Sequence, residues 1–322
     1  MFYRLLIEVQ KLGFSPEVIC EKAQITFESL GNGQLTLTDK QAEIIWAESV
    51  KETKNNELGF YLGLKTPIEG LATLGFILQN SPTFYEALKN AVSYINLITD
   101  VIELSLKKES NEFLLLVIPN PLYTIDSPER SKQVSLLTIS MTLKIYYHLT
   151  LQEFPPVAIY FPYAPPLKTI REFTRATAHQ HSKKHYIIKG NSKSLDIKIV
   201  NSNPNILMSL INYSKDFLTQ KDNKWSLKVE QHLLSEYTKS FPNLITVAHA
   251  FNLSERSLQR KLKSEDNTFT KILKKVKLNL AYVELKKSKN LKTIAANLGF
   301  SSSSSFIKFF KKLTGKTPSS YH

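Results

Sequence analysis

The sequence predicts two domains of different fold class, an α+β domain over residues 1–221 and an all-α domain over residues 222–322. Three observations predict this division. Helical and alternating apolar patterns are mixed in the first part, every apolar pattern is helical in the second, and a polar run at residues 220–224 separates them as a candidate linker. The length of 322 residues and the apolar fraction of 42% allow a buried core in each domain.

Helices lead the first domain, and strands cluster in its middle. Apolar residues at helical spacing predict helices near residues 5–12, 44–50, 71–79, 84–94 and 128–149. Alternation after Asp100 predicts a hairpin of residues 101–107 and 113–118, and further strands are predicted at residues 157–161, 185–188 and 195–199. A helix is predicted at residues 204–218. This order favours an α+β domain over a doubly wound sheet.

Positive charge is concentrated in the second domain. Between Glu230 and His322 there are 17 lysine and arginine residues against six acidic residues, a net charge of +11. Only +3 of the chain's total charge of +14 is therefore left for the first 229 residues. Such a field favours a polyanionic partner, and nucleic acid and an anionic membrane surface are the two candidates.

Other classes of protein find less support. The lone Cys20 cannot form an intramolecular disulfide and suits a reducing interior, so a cytoplasmic location is expected. The longest unbroken apolar run, residues 113–118, is too short for a signal peptide or a membrane span. Because the sequence contains no phosphate loop, nucleophile elbow or catalytic cluster, we expect neither an enzyme nor a cofactor.

Three histidines form the pattern His-x-His-x3-His at His179, His181 and His185. This spacing can hold a metal ion if the three rings share one face. Lys183 and Lys184 lie between them and would repel a cation. We therefore predict a polar loop or an anion-facing patch here and no metal site.

Two segments of the second domain, about residues 244–264 and 291–313, share one layout. In each, a short helix ends at a tight turn, an apolar residue points inward, and a serine can cap a second helix. The turn, inward and capping residues are Asn252, Leu253 and Ser254 in the first copy, and Gly299, Phe300 and Ser302 (or its neighbour Ser301) in the second. This is the layout of a helix-turn-helix motif, whose second helix enters the major groove of DNA.

A further helix at about residues 269–288 is predicted to link the two motifs at a fixed spacing. Its core side carries Phe269, Ile272, Val276, Leu280 and Val283, and Lys271, Lys274 and Lys275 lie mostly on the other side. Two recognition helices held in this way could enter successive major grooves, roughly 34 Å apart. Lipid binding would need an exposed apolar helix face, so the pattern favours DNA.

The last part of the chain carries a signature of residues at fixed spacing. Its members are Ile294, Ala295, Leu298, Gly299, Phe300, Ser304, Ser305, Phe306, Phe310, Lys311, Lys312, Gly315, Pro318 and Tyr321. With these residues the domain resembles the DNA-binding domain of AraC/XylS-type transcription regulators. The resemblance covers residues 225–322 and implies a sequence-specific DNA-binding regulator that activates or represses transcription.

The resemblance also implies which side chains contact DNA. Base reading falls on Arg256, Ser257, Gln259 and Arg260 in the first recognition helix, and on Ser303, Ser304, Ile307 and Lys308 in the second. Phosphate contacts are expected from nearby lysines and from the capped helix starts, namely Ser254, Lys261, Lys263, Ser302, Lys311 and Lys312. Arginine can bridge O6 and N7 of guanine, and glutamine can pair with N6 and N7 of adenine.

Four positions depart from the family pattern. Lys277, Lys308 and His322 stand where arginine is usual, and Glu284 replaces an aliphatic residue. Lysine lacks the planar fork that recognises guanine with two hydrogen bonds. We therefore expect weak guanine recognition by the second helix, which could serve as a phosphate anchor instead.

The first domain carries a second pattern. It consists of Leu58-Gly59-Phe60, Leu62-Gly63, Gly70, Leu74-Gly75, Asn80-Ser81-Pro82-Thr83, Glu86-Ala87-Leu88, Tyr94 and Val157–Phe161. These residues resemble the arabinose-binding-like effector domain of the ornithine- and fatty-acid-responsive branch of the same family. The resemblance implies an unidentified small-molecule effector, a homodimer and RNA polymerase as a further partner.

Two alternatives stay open at this point. The first domain could have kept dimerisation alone and lost its ligand. The basic domain could belong to an interaction protein or to a protein that binds anionic membrane surfaces.

Overall fold

The computed structural model describes the chain except for residues 33–34, 36, 155–156, 166–168, 171–173, 175, 223, 237–240, 266, 288–289, 315–316 and 322. Gly315 of the family signature and His322, one of the departures from it, lie outside the described residues, as do residue 223 of the predicted linker and residue 288 at the end of the predicted linking helix. The chain divides into two units, Met1–Ser214 and Lys215–His322. The domain boundary expected at residue 222 stays a prediction.

In the first unit the helices are α1 (Phe2–Lys11), α2 (Pro16–Lys22), α3 (Phe27–Gly31), α4 (Asp39–Thr53), α5 (Leu58–Lys65), α6 (Ala72–Asn80), α7 (Phe84–Tyr94), α8 (Pro121–Asp126) and α9 (Pro128–Thr150). The strands are β1 (Ile102–Lys108), β2 (Glu112–Pro119), β3 (Ala158–Phe161), β4 (Thr177–Gln180) and β5 (Tyr186–Asn191). Short 3-10 helices lie at Ile68–Leu71, Ile95–Leu97 and Ser192–Asp196. The mixture confirms the α+β class predicted for this part of the chain.

The five strands form one sheet in the order β1-β2-β5-β3-β4. All neighbours are antiparallel except β3 and β4, which pair in parallel. The predicted hairpin is β1-β2, in which Leu104 pairs with Val117. Phe113, Leu115 and Val117 of β2 are buried on one face, as the alternating pattern predicts.

Helix α9 packs against α5 at close range, because two glycines of α5 face it. A Cβ atom on Gly59 would overlap the backbone carbonyl of Gln133. A Cβ atom on Gly63 would overlap the hydroxyl of Ser140 and approach the carbonyl of Leu137. These glycines, which belong to the family pattern of the first domain, therefore serve the packing of two helices.

In the first unit one predicted strand is wrong and one observed strand was not predicted. Residues 195–199 do not form a strand, because Ser192–Asp196 is a 3-10 helix capped by Asn191, whose side-chain oxygen accepts from the Lys193 amide at 2.9 Å. Strand β4 was not predicted, and it contains His179. The polar loop predicted around the histidines is therefore wrong at this residue.

Helix α10 (Pro204–Asp222) contains the division between the two units. It was predicted to end at residue 218, before a linker that begins at residue 220. The helix continues to Asp222 because the polar residues that follow include neither proline nor glycine and are compatible with helix.

Helices are the regular secondary structure of the second unit in its described residues. After α10 its elements are α11 (Trp225–Ser235), α12 (Leu244–Ala250), α13 (Glu255–Lys263), α14 (Phe269–Lys287), α15 (Leu291–Asn297), α16 (Ser303–Thr314) and a 3-10 helix at Pro318–Tyr321. The all-α class with two helix-turn-helix motifs and a linking helix is confirmed. None of the described helices combines the length and apolar character that a membrane span needs.

The first motif has a hydrophobic core that includes α11 and the start of α14. Its buried members are Val229, Leu233, Val247, Ala248, Leu258, Leu262, Ile272 and Val276. Around the second motif, Tyr282 of α14 packs edge-on against Phe310, with ring centres 5.2 Å apart. Val283 was predicted on the core side of α14 but is 43% exposed, because Ala281, Tyr282 and Leu285 provide the buried face there.

Candidate nucleic-acid interface and ligand cavity

The turns of the two motifs have the same backbone geometry. Asn252 has a φ of 54° and Gly299 a φ of 70°, in the left-handed region that asparagine and glycine tolerate best. The next residue in each copy, Leu253 or Phe300, donates its amide to the carbonyl five residues earlier at 2.9 Å. One structural motif is therefore used twice in this unit.

Both recognition helices begin at a serine cap. The Ser254 hydroxyl accepts a hydrogen bond from the amide of Ser257 at 3.2 Å, and the Ser302 hydroxyl accepts one from the amide of Ser305 at 3.1 Å. Such caps satisfy one of the free amides at a helix start. The remaining amides and the helix dipole favour a negatively charged group at these positions.

The first recognition helix, α13, has one buried and one exposed face. Leu258 and Leu262 are fully buried. At 3.6 residues per turn, the remaining key side chains lie within about 100° of one another on the opposite side. They are Arg256, Gln259, Arg260 and Lys263, and all are exposed.

Two residues assigned to DNA contacts lie beside this exposed face. Ser257 is half-buried, and its hydroxyl accepts from the hydroxyl of Ser254 at 3.0 Å. The ammonium group of Lys261 lies 4.6 Å from the centre of the Trp225 ring. The phosphate contact predicted for Lys261 would therefore compete with a cation–π contact inside the unit.

The second recognition helix, α16, is anchored by Phe306 and Phe310, which are fully buried. Its exposed face carries Ser304, Lys308, Lys311 and Lys312. Ser303 and Ile307, both expected to read bases, are half-buried at the edge of that face. The exposed surface of this helix is therefore mainly cationic.

The cations of the two faces have no salt-bridge partner among the described residues. Within the part of the chain that the structure describes, no salt bridge joins a carboxylate to any of Arg256, Arg260, Lys263, Lys308, Lys311 and Lys312. These side chains are thus available to an external polyanion.

The linking helix contains a residue whose role the sequence did not reveal. The ammonium group of Lys277 lies 5.1 Å from the centre of the Phe241 ring and 4.6 Å from the centre of the Phe300 ring. Burial lowers the pKa of Lys277 from its ordinary value. Phe241 packs against the core of the first motif and Phe300 lies in the turn of the second, so Lys277 contacts both motifs.

The second residue of α14 that departs from the family pattern makes a hydrogen bond to the second motif. Glu284, which replaces an aliphatic residue of the family pattern, accepts a hydrogen bond from the side-chain amide of Asn297 at 2.9 Å. Asn297 is the last residue of α15. A polar contact between linking helix and second motif thus replaces an apolar one.

The first unit contains an apolar cavity between helices and sheet. Its volume is about 80 Å³, and Leu74, Phe84, Ala91, Leu115 and Met141 are among its lining residues. These residues come from α6, α7, β2 and α9. The cavity is the candidate effector site of this unit.

The histidine cluster lies at the other end of the sheet order. The ring of His179 on β4 stacks on Tyr160, with centres 5.2 Å apart, and Nε2 of His181 lies 2.8 Å from the carbonyl oxygen of His185. The described residues include no group of histidine, cysteine or acidic side chains that could hold a metal ion. These contacts hold the rings within the sheet and its following turn.

Comparison with known proteins agrees with this division of the chain. Residues 13–179 match the family described as the arabinose-binding domain of AraC transcription regulators, N-terminal. Residues 247–322 match a helix-turn-helix domain. The first match covers more than half of the chain.

Several characterised regulators are similar to it. The ornithine utilization regulator of Pseudomonas aeruginosa is 25% identical over 98% of this chain and 93% of its own length. The HTH-type transcriptional activator CsvR of Escherichia coli is 32% identical over 39% of this chain and 44% of its own length. The crystal structure of the transcriptional regulator CdpR from Pseudomonas aeruginosa matches with a TM-score of 0.46 and 18% identity, over 91% of this chain and 95% of CdpR.

Proposed function

This chain belongs to the AraC family of transcription regulators, and from that premise we propose that the exposed faces of α13 and α16 form its DNA-reading surface. It is a DNA-binding transcription regulator with an N-terminal ligand-binding domain. The observation that carries the proposal is the repeated turn geometry, which presents two cationic helices from one unit.

The first recognition helix is the sequence reader. Arg256, Gln259 and Arg260 share its exposed face, and their side chains can form paired hydrogen bonds with guanine or adenine. Ser257 lies at the edge of this face and contributes at most a single hydrogen bond. Lys263 and the capped start at Ser254 are suited to phosphates on either side.

The second recognition helix acts mainly as an anchor. Lys308, Lys311 and Lys312 present point charges, which attract phosphates strongly and discriminate bases weakly. Ser304 is the exposed side chain that is best placed for a base edge, with Ser302 at the helix start near the backbone. Ser303 and Ile307 sit nearer the core and have a smaller role.

The length of the linking helix is compatible with recognition helices in successive major grooves. The linking helix α14 has 19 residues, which corresponds to a length of roughly 28 Å. This is close to the roughly 34 Å between successive major grooves on one face of the duplex. A site with two blocks, about one helical turn apart from centre to centre, follows from this geometry.

The N-terminal unit is proposed to bind an effector in its apolar cavity and to form a homodimer. A ligand that prefers one arrangement of the chain would shift the population of the DNA-binding state. RNA polymerase is the partner through which such a change would reach transcription. The buried Cys20, whose pKa burial raises to about 11, suits the cytoplasm as the compartment of action.

Binding to an anionic membrane surface, the alternative function, would need an exposed apolar helix face. Among the described residues of the two recognition helices, Leu258, Leu262, Phe306 and Phe310 are fully buried and no large apolar side chain is exposed, whereas Ile307, Phe309 and Leu313 are half-buried. A helix that lies in a membrane surface must expose such residues beside its lysines.

Selection from random duplex DNA tests the proposal. The full chain is mixed with the library, bound duplexes are enriched at 150 mM salt, and their sequences are determined. The enriched sequences are expected to contain one conserved block of bases, with a second block at a fixed distance that is weakly conserved or not conserved. Two copies of this pair of blocks in one site would indicate the dimer. Binding without enrichment that disappears as salt rises would reduce the domain to a general polyanion binder.

A further inference from the structure

We infer that two copies of this chain associate through the free edge of β1, which pairs with the same strand of the second copy in antiparallel orientation around Ser105. This inference rests on the proposed homodimer and assigns the surface that forms it. The sheet of one copy would continue into the sheet of the other across this edge.

Strand β1 lies at one edge of the sheet, so one side of its backbone has no neighbouring strand. Its pairing with β2 shows which residues point to that side. The Glu109 amide donates to the Glu112 carbonyl at 2.8 Å, at one end of the pair. At the other end the Asn120 amide donates to the Val101 carbonyl at 2.9 Å. Because hydrogen-bonded pairs alternate in an antiparallel ladder, the odd-numbered residues of β1 bond to β2 and the even-numbered residues point outward.

The central outward-pointing groups of β1 are the amides and carbonyls of Leu104 and Leu106. Among the described residues, none forms a hydrogen bond with these backbone groups on the outer side. A strand edge in this state offers its N–H and C=O groups to an added strand.

The charged side chains of β1 are arranged symmetrically about Ser105. Glu103 and Lys107 are exposed, and they lie two residues before and two residues after it. A twofold axis at Ser105 would place Glu103 of each copy opposite Lys107 of the other. These residues would form non-hydrogen-bonded pairs, in which facing side chains approach most closely, and opposite charges at such positions stabilise a strand pair.

The backbone and the apolar face of β1 agree with the same axis. It pairs Leu104 of one copy with Leu106 of the other, and both residues direct their amide and carbonyl groups outward, so each pair would exchange two hydrogen bonds. The leucine side chains lie on the face of the sheet opposite to Glu103 and Lys107, because side chains alternate along a strand. They are half-buried, and they would cover one another in the pair.

The alternative registers and the other sheet edge fit less well. An axis at Glu103 or Lys107 would place like charges directly opposite each other, which destabilises a strand pair. An axis at Leu104 or Leu106 would not bring Glu103 opposite Lys107. Strand β4 at the other edge, Thr177–Gln180, has four residues and contains no lysine, arginine or acidic side chain that could set a register.

Charge reversal in the full chain tests this surface. Sedimentation velocity without DNA, at about 1 to 100 µM chain, measures the dissociation constant of the dimer. Glu103→Lys and Lys107→Glu each convert two attractive pairs into two repulsive ones, so each should raise this constant by about tenfold or more. The variant with both changes has two opposite pairs again and should associate within about twofold of the parent chain. Lys22→Glu, at an exposed position of α2, is the control and should not change association.

A mixture of the two single variants provides a second measurement. The chain with Glu103→Lys carries two positive charges at these positions, and the chain with Lys107→Glu carries two negative charges. Both cross-strand pairs of a mixed dimer are therefore opposite in charge, and the mixture should associate like the parent chain at a concentration where each variant alone is monomeric. Because an unfolded chain has no strand edge to pair, this result would also show that both variants are folded.

Three results would overturn the inference. They are a parent chain that stays monomeric at about 100 µM, single variants that dimerise as the parent does, and a lack of association in both the double variant and the mixture. The first result would remove the proposed homodimer together with its surface, whereas the second would leave the homodimer and reject only β1. Binding of selected duplex DNA by the same preparations reports separately on the DNA-reading surface.

Discussion

The ammonium group of Lys277 lies 4.6 Å from the centre of the Phe300 ring, in the middle of the linking helix and next to the turn of the second motif. The same group lies 5.1 Å from the ring of Phe241, which packs against the core of the first motif. A desolvated cation over an aromatic ring contributes roughly 2 kcal/mol. Lys277 therefore contributes to the fixed orientation of the two recognition helices, in addition to the continuity of α14.

Replacing Lys277 by methionine should weaken DNA binding through this orientation. Methionine keeps an unbranched apolar side chain and removes the charge, so the two cation–π contacts are lost while the packing is retained. We expect a loss of about tenfold on a duplex with both blocks, equivalent to ~1.4 kcal/mol, and less than twofold on a shorter duplex that ends before the second block. Fluorescence anisotropy with the two duplexes measures both affinities.

Lys277→Arg is the matched control, since arginine also stacks on aromatic rings and restores the residue usual in the family. It should bind both duplexes like the parent chain. An equal loss of affinity on both duplexes in Lys277→Met would show that the residue supports only the stability of the fold.

Arg256 and Arg260 should carry sequence recognition. Substitution of either by alanine is expected to cost ~1–3 kcal/mol on the selected site and to relax the base preference at one position, because a bidentate contact to guanine is lost. Arg256→Lys keeps the charge and removes the fork, so it should retain affinity for random DNA and lose most of the discrimination. Competition assays with single-base variants measure the effect, and a loss that is equal on all sequences would contradict base reading.

Lys311 should contribute affinity without sequence preference. Lys311→Gln removes one phosphate contact, so the slope of log K against log salt should become shallower by ~0.9. Lys22→Gln, which removes an exposed charge from α2 in the first unit, serves as the control and should leave the slope unchanged. Titrations between 50 and 300 mM salt determine both slopes, and identical slopes in parent chain and Lys311→Gln would exclude this contact.

Glu265 should make the stability of the second unit depend on pH. Burial acts to raise the pKa of Glu265, but hydrogen bonds from Ser226 and from the amide of Trp225 outweigh it, so the net shift is downward. Its carboxylate accepts from the amides of Trp225 and Ser226 at 2.7 and 2.9 Å and thus caps α11. A lowered folded-state pKa means that this stabilisation is complete above the unfolded pKa of about 4.3 and is lost as pH falls through the lower folded value.

Glu265→Gln should therefore reduce the free energy of unfolding by ~1 kcal/mol at pH 7 and by much less near pH 3. Urea denaturation followed by Trp225 emission, in a Trp46→Phe background, measures this in the second unit. Glu236→Gln at the exposed end of α11 should change stability by less than ~0.5 kcal/mol at pH 7. A Glu265→Gln effect of equal size at both pH values would show that the carboxylate charge plays no part.

The sequence predicted the second unit well because its signals are local. A helical apolar period, a serine cap and a residue that tolerates positive φ all lie within a few positions of one another, as at Asn252 and Ser254. The same local signals repeat at Gly299 and Ser302. Base-reading and phosphate-binding roles at these helices stay predictions, although the exposure of Arg256 and Arg260 agrees with them.

Features that depend on contacts distant in sequence were not predictable. Strand β4 is a short edge strand with mostly exposed polar residues, so Thr177–Gln180 shows no apolar alternation. The partners of Lys277 come from segments 36 residues before and 23 residues after it. The apolar cavity likewise joins residues from Met1 to Ile145, and no local pattern marks its walls.

The close contact between α5 and α9 should depend on the absence of a side chain at Gly59. Gly59→Ala should lower the free energy of unfolding of the first unit on the order of 3 kcal/mol, because a Cβ atom would overlap the Gln133 carbonyl, which is backbone and cannot rotate away. The hydrogen bond from the Gly59 amide to the Gln133 side chain, 2.6 Å long, would be disturbed as well. Gly31→Ala is the control, since its Cβ would meet only the exposed side-chain ring of Tyr3, at 3.0 Å, and no backbone atom.

Urea denaturation followed by Trp46 emission, in a Trp225→Phe background, compares the two alanine variants. The expected order is a large loss for Gly59→Ala and a change below ~1 kcal/mol for Gly31→Ala, where the better helix propensity of alanine offsets a small ring movement. If both variants lost similar stability, the loss in Gly59→Ala would not be specific to the contact between α5 and α9. If Gly59→Ala were neutral, α5 would have room to move from α9, and this glycine would not be required for their packing.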